Sequence, residues 1–143
     1  MTPKTLKRTL VIKERLRKWR QAELLDAENR VNEAQQSVDE AAERQRFTAE
    51  LLTRGGEVSA HELALAADQL VIAQRALQSA QNKLGERIEE RDARKAEAGE
   101  ATREVKAIEV LHTRLVNELR RAADRREQSE LDEAATRKGR SSV

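Results

Sequence analysis

The sequence has no cysteine and no tyrosine, and only one proline, one tryptophan, one phenylalanine and two histidines in 143 residues. Without thiols, neither a disulfide framework nor a thiolate metal site can form, which fits a reducing compartment such as the cytoplasm. With aromatics at 1%, represented by Trp19 and Phe47, the chain lacks the bulky side chains that fill a thick core. No apolar run approaches the roughly 18–20 residues that span a bilayer, and the N-terminus has no apolar segment of the signal-peptide kind. The sequence therefore predicts a soluble protein. His61 and His112 lack the helical spacing to a second histidine or a carboxylate that a metal pair requires. Gly55 and Gly56 stand without the lysine and hydroxyl residue of a phosphate loop. No catalytic constellation is left, so the chain reads as a non-enzyme, with no metal and no cofactor.

What the chain has in quantity is charge and helix formers. Charged residues make up 38%, yet 28 basic against 26 acidic side chains leave a net charge of only +2. The distribution is more informative. Lys4, Lys7, Arg8, Lys13, Arg15, Arg17, Lys18 and Arg20 stand against the single acid Glu14, a local excess that attracts an acidic partner. These cations are spread around the helix instead of along one stripe, and only Trp19 is available for base stacking, so nucleic acid is not the expected partner.

Hydrophobic periodicity gives the architecture. Leu63, Ala66, Leu70, Ala73, Leu77, Ala80 and Leu84 follow alternating steps of three and four, the period of a coiled-coil seam. The same phase continues through Ala98, Ala101, Val105, Ile108, Leu115, Leu119 and Ala122. A matching seam precedes it in Leu24, Ala27, Val31, Ala34, Val38, Ala41, Gln45, Thr48 and Leu52. Ile12, Leu16 and Trp19 sit one residue out of phase with it, which predicts a local shift of the stripe near residues 19–24.

Thr2 and Pro3 read as an N-cap and first helical residue. Ser59 and Glu62 form a capping-box pattern, with Val58 and Leu63 placed as a hydrophobic staple. The expectation is an all-α, two-helix antiparallel coiled-coil hairpin: a helix over about 3–52, a turn at 53–58, a helix over about 60–138 stopped by Gly139, and a frayed tail at 139–143. Gly85 and Gly99, at one outward heptad position, soften the second helix without disturbing its seam. Size alternation across the seam sets Ala34 against Leu77 and Val38 against Ala73, to within one heptad. At ~1.5 Å per residue the helices span roughly 75 and 118 Å. The second therefore overhangs the first by roughly thirty residues, on the same rise per residue, leaving Leu111, Leu115, Val116 and Leu119 uncovered from about Ile108 onward.

The overhanging segment EVKAIEVLHTRLVNELRRAADRREQSELDEAATRK, from Glu104 to Lys138, resembles the C-terminal helix of the FliJ and YscO family, small coiled-coil proteins of flagellar export and type III secretion machines. The likeness is carried by Arg126 to Ala134, where a charged residue and Gln are followed by a hydrophobic residue, Asp-Glu and a small residue. The N-terminal LKRTLVIKERLRKWRQAE is similar in style to the family's first helix. The resemblance implies a non-enzymatic central stalk of a secretion apparatus, cytoplasmic and peripheral at the inner membrane. Its end holding both termini would insert into a hexameric secretion ATPase, and its other end would face the membrane-embedded export gate; some members also bind secretion chaperones. On this implication the ATPase-facing residues are Leu6, Arg8, Arg15, Leu119, Arg121, Arg125, Glu130 and Leu131, and the gate-facing residues are Phe47, Leu51, Leu65 and Ile72. Two other readings fit the residues: a basic coiled-coil module for nucleic acid, and a structural coiled coil that self-associates.

Overall fold

A computed structural model describes residues 1–54, 56 and 58–141. Gly55 and Glu57 of the expected turn, and Ser142 and Val143 of the expected frayed tail, lie outside the described residues. The fold is an all-α helical hairpin of two long helices packed against each other, α1 (Pro3–Thr53) and α2 (Ala60–Ser141), with no strand among the described residues.

The helix starts are fixed by side chains. The Thr5 amide donates to Thr2 Oγ1 at 3.2 Å, and the Leu6 amide to the Thr2 carbonyl at 3.1 Å. At the second start the Glu62 amide donates to Ser59 Oγ at 3.2 Å, and the Leu63 amide to the Ser59 carbonyl at 3.0 Å. The two bonds to hydroxyl oxygens satisfy amides that an α-helix leaves without partners in its first turn, and the two to carbonyls are the first regular bonds of each helix. Val58 and Leu63 stay 45% and 50% exposed, so the staple position shelters neither of them well. At the far end Gly139 does not adopt a positive φ, so it does not form the left-handed cap, and α2 runs through it to Ser141.

Gly85 and Gly99 both lie inside α2, and a Cβ added at either would meet nothing within 4 Å. Gly85→Ala is therefore expected to raise stability by about 1 kcal/mol, read as a higher midpoint in thermal unfolding followed by circular dichroism. An unchanged or lower midpoint would show that the glycine is not a simple propensity defect.

The chain divides into two compact units, Trp19–Gly99 and Met1–Lys18 with Glu100–Val143. In the first of these, Ala27, Ala34, Ala41 and Ala98 are buried at 3–7% exposure. Leu24, Val31, Val38, Gln45, Thr48 and Leu52 of α1 are half-buried between them, as are Ala66, Leu70, Ala73, Leu77, Ala80 and Leu84 of α2. The anticipated stripe is present except for its first member, Leu63.

The cross-helix ion pairs give the register: Arg20 with Glu97 at 3.1 Å, Glu23 with Arg94 at 3.6 Å, and Arg30 with Glu90 at 3.0 Å. Ala34 accordingly shares a cleft with Lys83 and Arg87, and Ala41 shares one with Ala73 and Ala76. This register sets Ala34 level with Leu84, Val38 with Ala80, and Ala41 with Leu77, one heptad away from the pairing expected from sequence. A Leu/Ala alternation repeats every heptad, so the shift keeps each large side chain against a small one. It also explains Leu63, whose opposite number would fall beyond the end of α1.

Toward Gly99 the apolar seam gives way to charge. Arg20 also meets Glu23 at 3.2 Å, Arg94 meets Glu97 at 3.1 Å, Arg87 meets Glu90 at 3.0 Å, and Arg30 meets Asp26 at 3.1 Å. The Arg87 hydrogen bond, with the Arg30 charge behind it, holds the Glu90 carboxyl below its ordinary range. Whatever this group contributes is present above the usual carboxylate pKa and is lost as pH falls through the lowered one.

In the unit of Met1–Lys18 and Glu100–Val143, Leu6 and Ala101 are 5% exposed and Val105 is fully buried. Leu10, Lys13 and Arg17 of α1, and Ile108, His112 and Leu115 of α2, are half-buried around them. Lys13 Nζ reaches Glu104 at 3.0 Å. The stripe shift expected near residues 19–24 is absent. Along α1 the less exposed positions run Leu6, Leu10, Lys13, Arg17 and then Arg20, Leu24, Ala27 without a break; of the three residues expected out of phase, Leu16 is half-buried beside this run, while Ile12 and Trp19 are 64% and 56% exposed. Long basic side chains lay their aliphatic stems along the seam, so counting apolar residues alone picked the wrong neighbours. The Arg20 guanidinium lies 5.0 Å from the Trp19 ring centroid and covers one face of the exposed indole.

Candidate functional site

Among the described residues no group of His, Asp and Glu is arranged to hold a metal ion, and no polar or charged residue is buried. His61 is exposed, and His112 is half-buried in the seam. The shallow grooves along residues 125–140 run between side chains of a single helix, which cannot enclose a small molecule. Three surfaces stand out.

The first is the end of α2. Because α1 begins at Pro3, it accompanies α2 only as far as about Leu115, one heptad further than expected from sequence. Val116 and Leu119 are 37% and 51% exposed, and every residue from Ala123 to Arg140 is exposed. Arg120, Arg121, Arg125 and Arg126 lie here, followed by Glu127, Glu130, Asp132 and Glu133. Gln128 bonds Asp132 one turn on at 3.2 Å, and Leu131 stands 60% exposed among these charges.

Of the eight residues implied for an ATPase, all fall in this unit, and seven are exposed. Leu6 is the exception: at 5% exposure it belongs to the seam and is not presented. The others do not make one patch. Arg8 and Arg15 lie beside the covered part of α2, whereas Arg125 to Leu131 lie beyond the start of α1, so the set is spread over ~40 Å of helix at ~1.5 Å per residue.

The second surface is near the turn, in the unit Trp19–Gly99. Phe47, Leu51, Leu65 and Ile72 are 60%, 46%, 54% and 65% exposed. Phe47 and Ile72 line one cleft of about 290 Å³, floored by Ala41, Ala73 and Ala76 and edged by Arg44. Leu51 follows Phe47 by one helical turn, and Leu65 precedes Ile72 by one heptad, so each extends its own helix's side of the cleft toward the turn. Val71, 43% exposed, was not anticipated from sequence; its heptad position lies outside the seam, which gives no signal.

A third surface is visible only once the seam phase is known. With Lys13 paired to Glu104 and Arg17 half-buried, the exposed residues on the outer side of α1 are Lys4, Arg8, Val11, Ile12, Arg15 and Lys18. Of the cations that surround the helix in sequence, Lys13, Arg17 and Arg20 are thus taken by the seam, Lys4, Arg8, Arg15 and Lys18 share a separate outward face, and exposed Lys7 lies at the flank between the two.

No protein-family model, curated protein or solved structure matches the chain. Functional inference therefore rests on these surfaces and on the FliJ/YscO resemblance.

Proposed function

We propose that the chain is a non-enzymatic central stalk and coupling component of a type III secretion export apparatus, of flagellar or injectisome kind. The observation that carries this reading is the end of α2, a helix fully exposed from Ala123 to Arg140 that shares a compact unit with the N-terminal segment of α1. A helical end bearing arginines and isolated leucines, with no cover of its own, suits insertion into a protein ring such as a hexameric secretion ATPase. The cleft at Phe47 and Ile72 suits a hydrophobic contact to the export gate in the inner membrane, and secretion chaperones are further candidate partners. The protein would then work in the cytoplasm, peripheral to the inner membrane.

The test is a pull-down and stimulation assay with the cognate secretion ATPase. Charge reversal at Arg121 and Arg125, both exposed, is expected to abolish stimulation while leaving helicity unchanged. A double variant that stimulates as the parent does would remove these residues from the interface.

Val116, Leu119, Ala122 and Ala123 favour one other reading, a coiled coil that self-associates through this stripe. Sedimentation that depends on concentration, abolished by Leu119→Lys, would support it over the ATPase.

A further inference from the structure

The outward face of α1 at its N-terminal end is unused by the readings above except at Arg8 and Arg15, and its composition is unusual. Lys4, Arg8, Val11, Ile12, Arg15 and Lys18 are all exposed, and they fall within one side of the helix, opposite the seam residues Leu6, Leu10, Lys13 and Arg17. The only acid between Met1 and Lys18 is Glu14, half-buried and at the flank of this face one turn before Lys18. Val11 is 44% exposed and Ile12 64% exposed, although Leu6, one to two turns back, is buried. A charged helix turned only toward water has no use for two neighbouring branched aliphatics at the centre of four cations.

We propose that this face binds an anionic lipid surface, with α1 lying along the membrane, Val11 and Ile12 entering the headgroup boundary, and Lys4, Arg8, Arg15 and Lys18 reaching lipid phosphates. Three properties select lipid over other polyanions. The face is the convex side of a single helix, and so fits a plane better than a groove. Its aliphatic pair gains from leaving water at an interface and gains nothing along a phosphate backbone. Its cations have long stems that can lie along the acyl boundary while their heads stay in water. Adsorption of this kind needs no membrane-spanning segment, and no helix here is long and apolar enough to cross a membrane.

The test is co-sedimentation of the full chain with phosphatidylcholine vesicles, with and without phosphatidylglycerol. Trp19, the chain's only tryptophan and next in sequence after Lys18, serves as a fluorescent reporter. Binding is expected only to the anionic vesicles, weakening about 5-fold for each cation removed and lost at ~1 M salt, where screening acts within ~3 Å. Val11→Ser with Ile12→Ser is expected to lower binding by roughly 10-fold or more. Both residues are exposed, so the variant should keep parental helicity. Neither belongs to the residues assigned to the ATPase, so ATPase stimulation should persist and failure of one reading leaves the other standing. No binding to anionic vesicles at low salt would overturn the proposal. So would binding that the Val11 and Ile12 substitutions leave unchanged. Tighter binding to duplex DNA than to vesicles, insensitive to those substitutions, would overturn it and assign the face to nucleic acid.

Discussion

Val105→Lys is expected to be the most damaging single substitution in the unit of Met1–Lys18 and Glu100–Val143, lowering stability by about 3 kcal/mol or more. Val105 is the largest fully buried side chain among the described residues. Removing it forfeits roughly 1.5–2 kcal/mol of apolar burial. The ammonium that replaces it would lie level with Lys13, whose own charge is already committed to Glu104 at 3.0 Å. Lys13 is tolerated in the seam because its side chain keeps 35% exposure and reaches a carboxylate. A second lysine on the opposite helix would have neither. Two controls separate burial from charge. Val105→Ala should cost only about 1–2 kcal/mol, since it removes two methyl groups. Val110→Lys, at a site already 51% exposed, should stay within about 0.5 kcal/mol of the parent. Thermal unfolding gives the ranking, and amide exchange across Glu100–Leu115 should show protection lost locally. Equal effects at Val105 and Val110 would mean that the two helices do not pair in this unit.

The seam, the two helix starts and the uncovered end of α2 were legible in sequence because each follows from short-range chemistry, whereas the stop expected at Gly139 was not formed. Leu/Ala heptads mark a narrow two-helix contact, the Thr2 and Ser59 hydroxyl oxygens accept from amides that need partners, and unequal helix lengths leave one end alone. What was not legible depends on the partner helix. Lys13, Arg17 and Arg20 occupy seam positions through their stems, which a count of apolar residues passes over in favour of Ile12 and Trp19. Leu6 reads as a presented leucine until the position of α2 shows it buried. Phe47 and Ile72 share a cleft only because α1 and α2 bring them side by side, and a basic face exists on α1 only after the seam has taken Lys13 and Arg17. The register is the clearest case. Every heptad of Leu70, Leu77 and Leu84 offers the same partners to Ala34 and Ala41, so apolar packing alone has no means to choose among them.

The charged part of the seam makes that choice, and weakening it should make α1 slip. In the observed register Arg20 lies level with Ala98, Leu24 with Arg94, Ala27 with Arg91 and Val31 with Arg87, so each seam arginine faces an aliphatic side chain and finds its carboxylates to the side. One heptad back, Ala34 would meet Leu77 and the apolar layers would be as good as before. Arg20, however, would meet Arg91, and the contacts with Glu97 and Arg94 would be drawn apart by ~10 Å. Four partly exposed cross-helix pairs, Lys13 with Glu104 included, at about 0.5 kcal/mol each, together with two juxtaposed arginine pairs, Arg20 with Arg91 and Arg17 with Arg94, at about 1 kcal/mol each, amount to a preference of roughly 4 kcal/mol. The opposite slip is no competitor, because it would carry Thr53 level with Ile72 and unwind the start of α2. Arg91→Glu with Arg94→Gln and Glu97→Gln removes two of the four native pairs, removes both arginine clashes of the slipped register and gives Arg20 an acid there. The absence of native cysteine lets spin labels be placed cleanly at Asn29 and Asp68, both exposed. The parent should show one distance between them, and the triple variant a second population shorter by roughly 10 Å, the axial length of a heptad. A single unchanged distance in the variant would transfer control of the register from the arginines to the turn after Thr53.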